Sequence, residues 1–427
     1  MTLTKPNYMP RLADQQLTDM LEAFGAVCIE GPKWCGKTWT ALNQALSVAF
    51  IANPDNNFQT RTMAQLNPAL ILTGKHPRLI DEWQEVPPLW DAVRFAVDQQ
   101  ADRGQYILTG FATPNYKGVP HSGAGRIGRM RMRTMSLYES GDSDGSVSLC
   151  EILSGSLPAR TTQAPTLEHL IALCVRGGWP GSLGLPAKAA AELPRAYLTS
   201  VIEDDIHRLE GIQRDRQKMW MLLRSLARNE STLATNATLR RDMLETDGET
   251  IHVETVAEYL NVLERMFLRE DQGAFDPNMR SSVRVGKSKK RHFVDPSLAV
   301  AALGATPGML LDDLNTFGFL FEALCERDLQ IYASALNAQL FHYRDASGRE
   351  IDAVIECEDG TWGAFEIKLG QDRIDEAAKH LLHIRQLMTD DPRAKPPAIL
   401  CVICGLGEYA YTRADGVMVA PITSLKP

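Results

Sequence analysis

The sequence predicts an α/β fold whose first part is a parallel sheet covered by helices. The apolar run 26–29 leads into a glycine-rich turn, and a segment with helical character follows from residue 37. Two more apolar runs, 78–82 and 106–110, are separated by the segment 88–98, whose apolar residues recur at helical spacing. Strands that alternate with helices in this way pair in parallel, because each helix returns the chain to the same end of the sheet.

A phosphate-binding loop lies between the first predicted strand and its helix. It consists of Gly31, Pro32, Lys33, Trp34, Cys35, Gly36, Lys37 and Thr38. Backbone N–H groups of such a loop wrap the phosphates of a nucleotide, and the start of the helix adds positive potential. We expect the Lys37 ammonium to reach the β- and γ-phosphates and the Thr38 hydroxyl to hold Mg²⁺. The loop therefore predicts binding of ATP with Mg²⁺.

Polar side chains end the next two predicted strands. Asp81 is expected to help hold Mg²⁺ through water, and Glu82 is placed to polarise an attacking water. Thr109 ends the third strand, where its hydroxyl could lie between Glu82 and the γ-phosphate as a sensor. A threonine that only closes a buried strand before a glycine turn explains the same residue nearly as well.

Four arginines follow within a short segment: Arg126, Arg129, Arg131 and Arg133. The last three alternate with methionine, so a strand would place them on one side, while Arg126 lies in the preceding glycine-rich turn. The cluster suggests contact with an anion, including a transition-state arginine that reaches the nucleotide of a neighbouring subunit in a homo-oligomer. We favour Arg126 or Arg129 for that role. An edge strand protected from unwanted pairing by its charges is an equally good explanation.

Taken together, these motifs resemble a large bacterial and archaeal family of AAA-like ATPases joined to a C-terminal domain of unknown function. The resemblance runs almost end to end, through residues 31–38, 79–87, 108–114, 121–126, 135–140 and 177–180. It implies an ATPase core of the ASCE type, in which Glu82 is the catalytic acid. It also implies that residues 177–180, including Gly178 and Pro180, lie near the adenine. Phe111 departs from the family pattern, which has a small polar residue there.

Helical patterns dominate the middle of the chain. Residues 141–165 are rich in glycine, serine and proline and are expected to form a loop or excursion. The segments 167–176 and 187–209 indicate helices of a lid over the nucleotide. Three further helical patterns cover 218–227, 236–244 and 255–268.

A basic, hairpin-like segment follows these three helices. Its cations are Arg280, Arg284, Lys287, Lys289, Lys290 and Arg291. Three helices and a basic hairpin resemble a winged helix-turn-helix, so DNA contact is expected through residues 280–291. Glu254, Glu258 and Glu264 on the outward side of the last helix argue against reading the major groove, because they would repel phosphates. A winged helix used for protein contact is an equal alternative.

The last predicted domain carries an acid, then an acid-x-lysine pair on the next strand. These residues are Asp352, Glu366 and Lys368, with Glu322 on a preceding helical segment that could orient the site. This is the layout of PD-(D/E)XK nucleases, and the family resemblance also implies a nuclease-like fold here. Asp352 and Glu366 would share a Mg²⁺ or Mn²⁺ ion, and Lys368 would stabilise or activate the attacking water.

The apolar pattern of this region predicts a β-hairpin and its register. Ile351, Ala353 and Ile355 alternate on one strand, and Phe365 and Ile367 alternate on the other. Burying both sets together requires an odd-length turn such as 358–360, which sets Asp352 opposite Glu366 on the other face. Acids and lysines that merely alternate on a half-exposed hairpin are the alternative explanation.

Composition restricts the class of protein. The net charge of −8 argues against a generally basic nucleic-acid binder. The chain contains no run of apolar residues long enough for a membrane span and no signal-peptide pattern at its start. Eight scattered cysteines are typical of reduced thiols in a cytoplasmic protein. Cys401 and Cys404 have a redox-like spacing, but strand alternation would send them to opposite faces.

A chain of 427 residues is too long for a single hydrophobic core. We expect a P-loop ATPase core with a parallel sheet, then a winged-helix-like domain and a C-terminal α/β nuclease-like domain. The predicted boundaries are 1–165 for the ATPase core, 166–212 for the lid, 213–300 for the winged-helix-like domain and 310–427 for the nuclease-like domain. The expected function is ATP hydrolysis in association with DNA. The alternative is a nucleotide-controlled switch or scaffold whose C-terminal domains bind protein partners and lack nuclease activity.

Overall fold

The computed structural model describes residues 3–100, 102–110, 121–206, 214–244 and 251–427. The α-helices are α1 Ala13–Ala23, α2 Lys37–Gln44, α3 Asp55–Leu66, α4 Pro88–Gln100, α5 Leu137–Ser140, α6 Leu149–Leu153, α7 Leu167–Arg176, α8 Ala187–Ser200, α9 Arg216–Arg228, α10 Asn236–Leu244, α11 Val253–Arg265, α12 Val283–Gly286, α13 Pro296–Leu303, α14 Pro307–Asp312, α15 Leu314–Ala335 and α16 Ile374–Asp390. The strands are β1 Ala26–Glu30, β2 Ser47–Phe50, β3 Arg78–Asp81, β4 Tyr106–Gly110, β5 Ile127–Arg131, β6 Val147–Ser148, β7 Arg160–Thr161, β8 Gln339–Arg344, β9 Glu350–Glu356, β10 Trp362–Lys368, β11 Ile399–Cys404, β12 Tyr409–Thr412, β13 Met418–Pro421 and β14 Leu425–Lys426. Phe111 lies outside the described residues.

The first sheet has five parallel strands in the order β2-β3-β4-β1-β5, which confirms the parallel α/β prediction. Ile29 and Ile107 pack on one face with apolar side chains of α1 and α2. Cys28 and Leu108 pack on the other face with α4. Because β4 lies between β1 and β3, the residues that end these three strands meet at one edge of the sheet.

The second sheet has seven strands in the order β7-β12-β13-β11-β10-β9-β8. Its central hairpin has the predicted register, since Phe365 pairs with Ala353 and Trp362 pairs with Glu356. The same register sets Glu366 opposite Asp352. The alternative of a half-exposed hairpin is wrong, because apolar side chains of α15 cover one face of the sheet and those of α16 cover the other. The predicted shared face is wrong at Ile351, which packs with side chains of α16, whereas Ala353 and Ile355 pack with those of α15.

Residues 141–165 are more ordered than the predicted loop. Within them Ser148 caps α6 through a reciprocal contact with Glu151. The short strand β6 pairs with β14 near the end of the chain, and β7 pairs with β12 of the second sheet. This segment therefore joins the first domain to the C-terminal sheet through backbone hydrogen bonds. Glycine, serine and proline content alone did not indicate these long-range pairings.

The middle of the chain has the three predicted helices as α9, α10 and α11. One apolar face of α11 is buried, at Val256, Tyr259, Leu260 and Leu263. The helix ends at Arg265, earlier than predicted, and Phe267 has a positive φ of 57° that no regular helix continues through. Two antiparallel bridges follow, from Arg269 to Phe293 and from Gln272 to Lys290.

None of the helices within the described ranges is long and apolar enough to cross a membrane. Cys401 and Cys404 are both buried and pack in different hydrophobic clusters, on opposite faces of the second sheet. Burial raises the pKa of the Cys404 thiol to about 11. The prediction of two separate buried thiols is confirmed.

Candidate functional site

The phosphate loop follows β1 with the backbone that its sequence requires. Trp34 and Gly36 have φ values of 65° and 104°, so both lie in the left-handed region. Gly31 lies so close to the backbone that a Cβ there would be 2.1 Å from the Met132 carbonyl oxygen. Lys37 is 6% exposed, and its ammonium donates to the carbonyl oxygens of Gly31 at 2.9 Å and Pro32 at 2.6 Å. The lysine is thus held against the inside of the loop.

Three polar side chains converge beside the loop. The Thr38 hydroxyl donates to Asp81 Oδ1 at 2.7 Å, and the Thr109 hydroxyl donates to the same oxygen at 2.7 Å. Thr109 is 1% exposed, at the end of β4. A hydroxyl and a carboxylate are the hard oxygen ligands that Mg²⁺ prefers. Thr38 and Asp81 therefore fit a magnesium ion at this edge of the sheet.

Glu82 follows Asp81 with a positive φ of 59°, which is uncommon for a residue other than glycine. Its backbone N–H donates to Thr109 Oγ1 at 3.4 Å, and Gln84 Nε2 donates to its carboxylate oxygen Oε2. Burial raises the pKa of Glu82 and the charge of Asp81 raises it further, while the Gln84 hydrogen bond opposes the shift. The carboxylate is thereby made more basic than an exposed glutamate.

Side chains distant in the sequence enclose the phosphate loop. Lys33 forms an ion pair with Asp205 at 2.6 Å, in the π-helical turn Val201–Asp205 that continues α8. The Trp34 ring lies 5.6 Å from the Tyr197 ring. A Cβ on Gly36 would lie 3.6 Å from Pro180 Cγ, so the predicted turn at residues 177–180 does adjoin the loop.

That turn is fixed by buried hydrogen bonds. Gly178 N–H donates to Asp295 Oδ2 at 2.9 Å, and the Gly178 carbonyl accepts from Met135 N–H at 2.7 Å. Asp295 also accepts from the Arg327 guanidinium at 3.0 Å. The turn beside the loop is therefore tied to α13 and α15. The end of the predicted lid helix, 207–209, lies outside the described residues.

The four arginines do not form one anion-facing cluster, which corrects the prediction from their alternation. Arg133 forms a two-point contact with Glu270, at 2.9 and 2.7 Å, and the Arg131 guanidinium lies 4.0 Å from the centre of the Phe267 ring. Both arginines thus hold the middle of the chain against the first sheet. Despite burial, Arg133 and Arg131 lower the pKa of Glu270 to about 2.

Arg126 and Arg129 lie on the exposed side of the edge strand β5 and its preceding turn. Arg126 pairs with Asp98 at 2.7 Å, and its side chain is 49% exposed. Arg129 pairs with Glu30 at 3.2 Å, and its side chain is 35% exposed. These two candidates for a transition-state arginine therefore remain accessible from outside the subunit.

In the second sheet, the three residues of the predicted acid-x-lysine site converge. The Lys368 ammonium lies 3.1 Å from Asp352 Oδ2 and 2.7 Å from Glu366 Oε2. Asp352 Oδ2 also accepts from the Ile367 N–H at 2.8 Å, and Glu366 Oε1 lies 3.1 Å from Nδ1 of His380. Although burial opposes it, Lys368 and Lys290 lower the pKa of Asp352, whereas burial and Asp352 raise that of Glu366.

A second lysine enters the same cluster from the predicted basic hairpin. The Lys290 ammonium contacts Glu322, lies 2.8 Å from Glu326 Oε1, and donates to the Asp352 carbonyl oxygen at 3.1 Å. Burial opposes its charge, but Glu326 and Glu322 outweigh that effect and raise the pKa of Lys290. In the part of the chain that the structure describes, no group of three or more His, Cys, Asp or Glu side chains could hold a metal ion. The sharing of a metal ion by Asp352 and Glu366 stays a prediction, and in this structure the Lys368 ammonium contacts both carboxylates.

Other cations of the basic segment also face inward, which corrects the picture of a freely charged hairpin. Arg284 forms a two-point contact with Glu356 at 2.9 and 2.8 Å, and Arg291 pairs with Asp271 at 2.7 Å. Lys287 is exposed, although its ammonium donates to the Arg344 carbonyl oxygen at 2.6 Å. Arg280 and Lys289 are also exposed. The surface charge that this segment could offer to DNA is therefore smaller than its composition suggests.

Comparison with known families agrees with the geometry of the first sheet. Residues 23–140 match the model of a family described as an AAA domain. The chain carries an AAA-type P-loop ATPase domain. Residues 167–308 and 317–425 match two families that are each described as a domain of unknown function, DUF8612 and DUF4143.

Two relatives that match most of the chain carry no assigned function in their names. The uncharacterized proteins Rv2008c of Mycobacterium tuberculosis and Mb2031c of Mycobacterium bovis are 23% identical over 364 residues, which is 84% of this chain and 73% of each relative. Among solved structures, the Walker-type ATPase PABY2304 of Pyrococcus abyssi is 15% identical, with a TM-score of 0.43. That likeness covers 70% of this chain and 97% of the Pyrococcus chain.

Sequence reasoning missed several residues that hold the ATPase domain's loop. Arg11 donates to the Cys35 carbonyl oxygen at 2.7 Å and to Glu139 at 2.9 Å, so it connects the loop to α5. Asp205 and Tyr197 contact the loop from α8 and the turn after it. No local motif marks these three residues, because each acts through a partner far away in the sequence.

Proposed function

We propose that this chain hydrolyses ATP at the edge of the five-stranded sheet. The observation that carries the proposal is that Thr38 and Thr109, from the loop and from β4, both donate to one oxygen of Asp81. This links the phosphate-binding element, the metal-binding carboxylate and the proposed sensor within a single hydrogen-bond network. Glu82 is the next residue, so its carboxylate is the general base that this arrangement supports.

Each residue has a defined task in the proposed reaction. The loop N–H groups and the Lys37 ammonium bind the phosphates. To do so, Lys37 leaves the carbonyl oxygens of Gly31 and Pro32 and donates to phosphate oxygens instead. Thr38 and Asp81 would hold Mg²⁺, which would supply positive charge beside the phosphates. Glu82 accepts a proton from the attacking water. The Thr109 hydroxyl lies between Glu82 and the γ-phosphate and acts as the sensor.

A transition-state arginine from a neighbouring subunit completes the proposal. Arg126 and Arg129 support it, because they belong to the outer edge of the sheet and retain exposed guanidinium groups. Each has an acidic partner in its own subunit, which a neighbour's phosphate would have to replace. A homo-oligomer is therefore part of the proposed active form.

The domain boundaries at 165, 212 and 300 stay predictions.

A second candidate function concerns the C-terminal sheet. The convergence of Asp352, Glu366 and Lys368 within hydrogen-bond distance supports a nuclease-like module, as does the hairpin register that brings them together. The three helices α9–α11 with their bridged segments support a winged-helix-like domain, and the exposed Arg280 and Lys289 could contact DNA phosphates. The competing function is a nucleotide-driven switch in which these domains bind protein and do not cleave DNA.

ATP turnover by the purified chain, with Mg²⁺ and with or without DNA, tests the proposal. We expect turnover by the wild type and none above background by Lys37→Ala. Lys75→Ala, which changes an exposed lysine of the same domain, serves as the matched control and should behave as the wild type. DNA-stimulated turnover favours the DNA-associated function, and turnover indifferent to DNA favours the switch. Equal turnover by wild type and Lys37→Ala contradicts the proposed site.

A further inference from the structure

Lys290 is held in place by the backbone around it. Its N–H and carbonyl exchange hydrogen bonds with Gln272, at 3.0 and 2.9 Å, across an antiparallel bridge. The residue is 6% exposed. The lysine therefore reaches the C-terminal cluster from the middle of the chain along a fixed path.

The ammonium of Lys290 uses its full donor capacity inside the cluster. An ammonium has three N–H donors, and this one has three acceptors: Glu322, Glu326 Oε1 and the Asp352 carbonyl oxygen. Glu326 is 3% exposed, and its other oxygen, Oε2, lies 3.2 Å from Nε2 of His292. The three acceptors satisfy the buried charge of Lys290 and hold its ammonium in place, whereas Glu326 Oε2 and His292 Nε2 form no hydrogen bond among the described residues.

Together, two lysines pair with four carboxyl groups in this cluster. Lys368 bridges Asp352 and Glu366 on one side, while Lys290 bridges Glu322 and Glu326 on the other. A divalent cation that used Asp352 and either helix glutamate would come within a few ångströms of the Lys290 ammonium. Like charges at such a short separation repel each other strongly where water is excluded, and the divalent charge makes this repulsion larger.

We propose that Lys290 is a built-in counter-cation that closes the C-terminal carboxylate cluster to Mg²⁺ and Mn²⁺. The cluster accepts a divalent cation only when the side chain at position 290 is removed or withdrawn. This inference rests on the proposed nuclease-like module only where it concerns DNA cleavage. The metal binding that it describes can be measured without cleavage. Lys290 belongs to the matched region 167–308, and the carboxylates belong to the matched region 317–425, so the closed site spans both.

Mn²⁺ binding to the nucleotide-free chain, measured by electron paramagnetic resonance, tests the proposal. We expect Lys290→Met to bind Mn²⁺ at least about tenfold more tightly than the wild type, because it removes the repelling charge. Lys290→Arg should remain closed. Lys379→Met, which removes an exposed lysine of α16, should match the wild type. Adding Glu322→Gln to Lys290→Met should weaken the gained site and so assign it to this cluster.

Lys290→Met leaves buried carboxylates without their partner, so its folding must be secured. The double variant Lys290→Met with Glu326→Gln changes both members of this buried pair and keeps Glu322 and Asp352. Gain of a Glu322-dependent Mn²⁺ site in either folded variant supports the inference. Wild-type binding at this cluster as tight as in the variants overturns it, and so does the absence of gained binding in every variant that folds. If the gained site fails to nick DNA, the nuclease-like function fails while the closed-site inference stands.

Discussion

Thr38 Oγ1 donates a 2.7 Å hydrogen bond to Asp81 Oδ1. This bond joins the phosphate loop, which follows β1, to the end of β3, which lies two strands from β1 in the sheet. The intervening strand β4 supplies Thr109 to the same oxygen. The loop, the proposed metal-binding carboxylate and the proposed sensor are thus joined in one hydrogen-bond network. A change in any of these hydroxyls is expected to alter the position of Asp81.

Thr109→Val tests the sensor within this unit. The change removes a hydroxyl but keeps the size and the β-branch, so the buried strand should still fold. We expect ATP turnover to fall by about tenfold or more while ATP binding is kept, since a hydrogen bond to a charged group contributes about 1.5 to 3 kcal/mol. Thr109→Ser should retain much of the activity because it keeps the hydroxyl. Full turnover by Thr109→Val would leave the residue with only a strand-closing role.

The pH dependence of turnover should show the raised pKa of Glu82. A general base works only when deprotonated, so kcat/KM should fall as the pH drops through a pKa above the ordinary glutamate value of about 4.3. Gln84 donates to the Glu82 carboxylate and favours its charged form. Gln84→Leu should therefore move this acid limb to higher pH. An unchanged or lower limb in the variant would contradict the assigned hydrogen bond.

Turnover per chain should rise with protein concentration if an arginine acts across a subunit interface. Arg126→Ala or Arg129→Ala should remove most of this rise, and mixing the inactive arginine variant with Lys37→Ala should restore activity in part. Arg103→Ala, at an exposed position of the same domain, is the control. Concentration-independent turnover by a strict monomer would exclude the proposed arrangement.

The buried pair Asp295 and Arg327 should be essential for stability. Asp295 is fully buried and accepts hydrogen bonds from Thr134, Gly178 and Arg327. Asp295→Ala leaves the guanidinium without this partner, and we expect a loss of about 3 to 5 kcal/mol in the free energy of unfolding. The double variant Asp295→Ala with Arg327→Met should recover part of that loss. Urea unfolding followed by tryptophan fluorescence measures both, and a loss under 1 kcal/mol in the single variant would refute the prediction.

Local patterns predicted the loop, its flanking strand and helix, and the hairpin of β9 and β10. In each case adjacent residues determine the backbone: Gly31 and Gly36 fit the loop, and a three-residue turn sets the register of Asp352 and Glu366. Contacts between distant segments were not predictable in this way. Lys290 appeared to be one of several surface cations, and nothing near it in the sequence indicates Glu322 or Glu326.

The arginine segment shows the same limit at shorter range. Strand alternation placed Arg129, Arg131 and Arg133 on one side of the strand. It could not show that Glu270 contacts Arg133 and that Phe267 packs against Arg131. The partners come from a different part of the chain, and their arrival turns two candidate anion contacts into a packed interface. The sequence therefore shows where the arginines are but does not show which of them remain accessible.

The most direct test of the central claim is a comparison of ATP binding and hydrolysis by Glu82→Gln and the wild type. The change keeps the shape of the side chain and removes the carboxylate that accepts the proton. We predict that Glu82→Gln binds ATP with Mg²⁺ about as tightly as the wild type and hydrolyses it at least about 100-fold more slowly. Hydrolysis by Glu82→Gln at the wild-type rate would contradict the account.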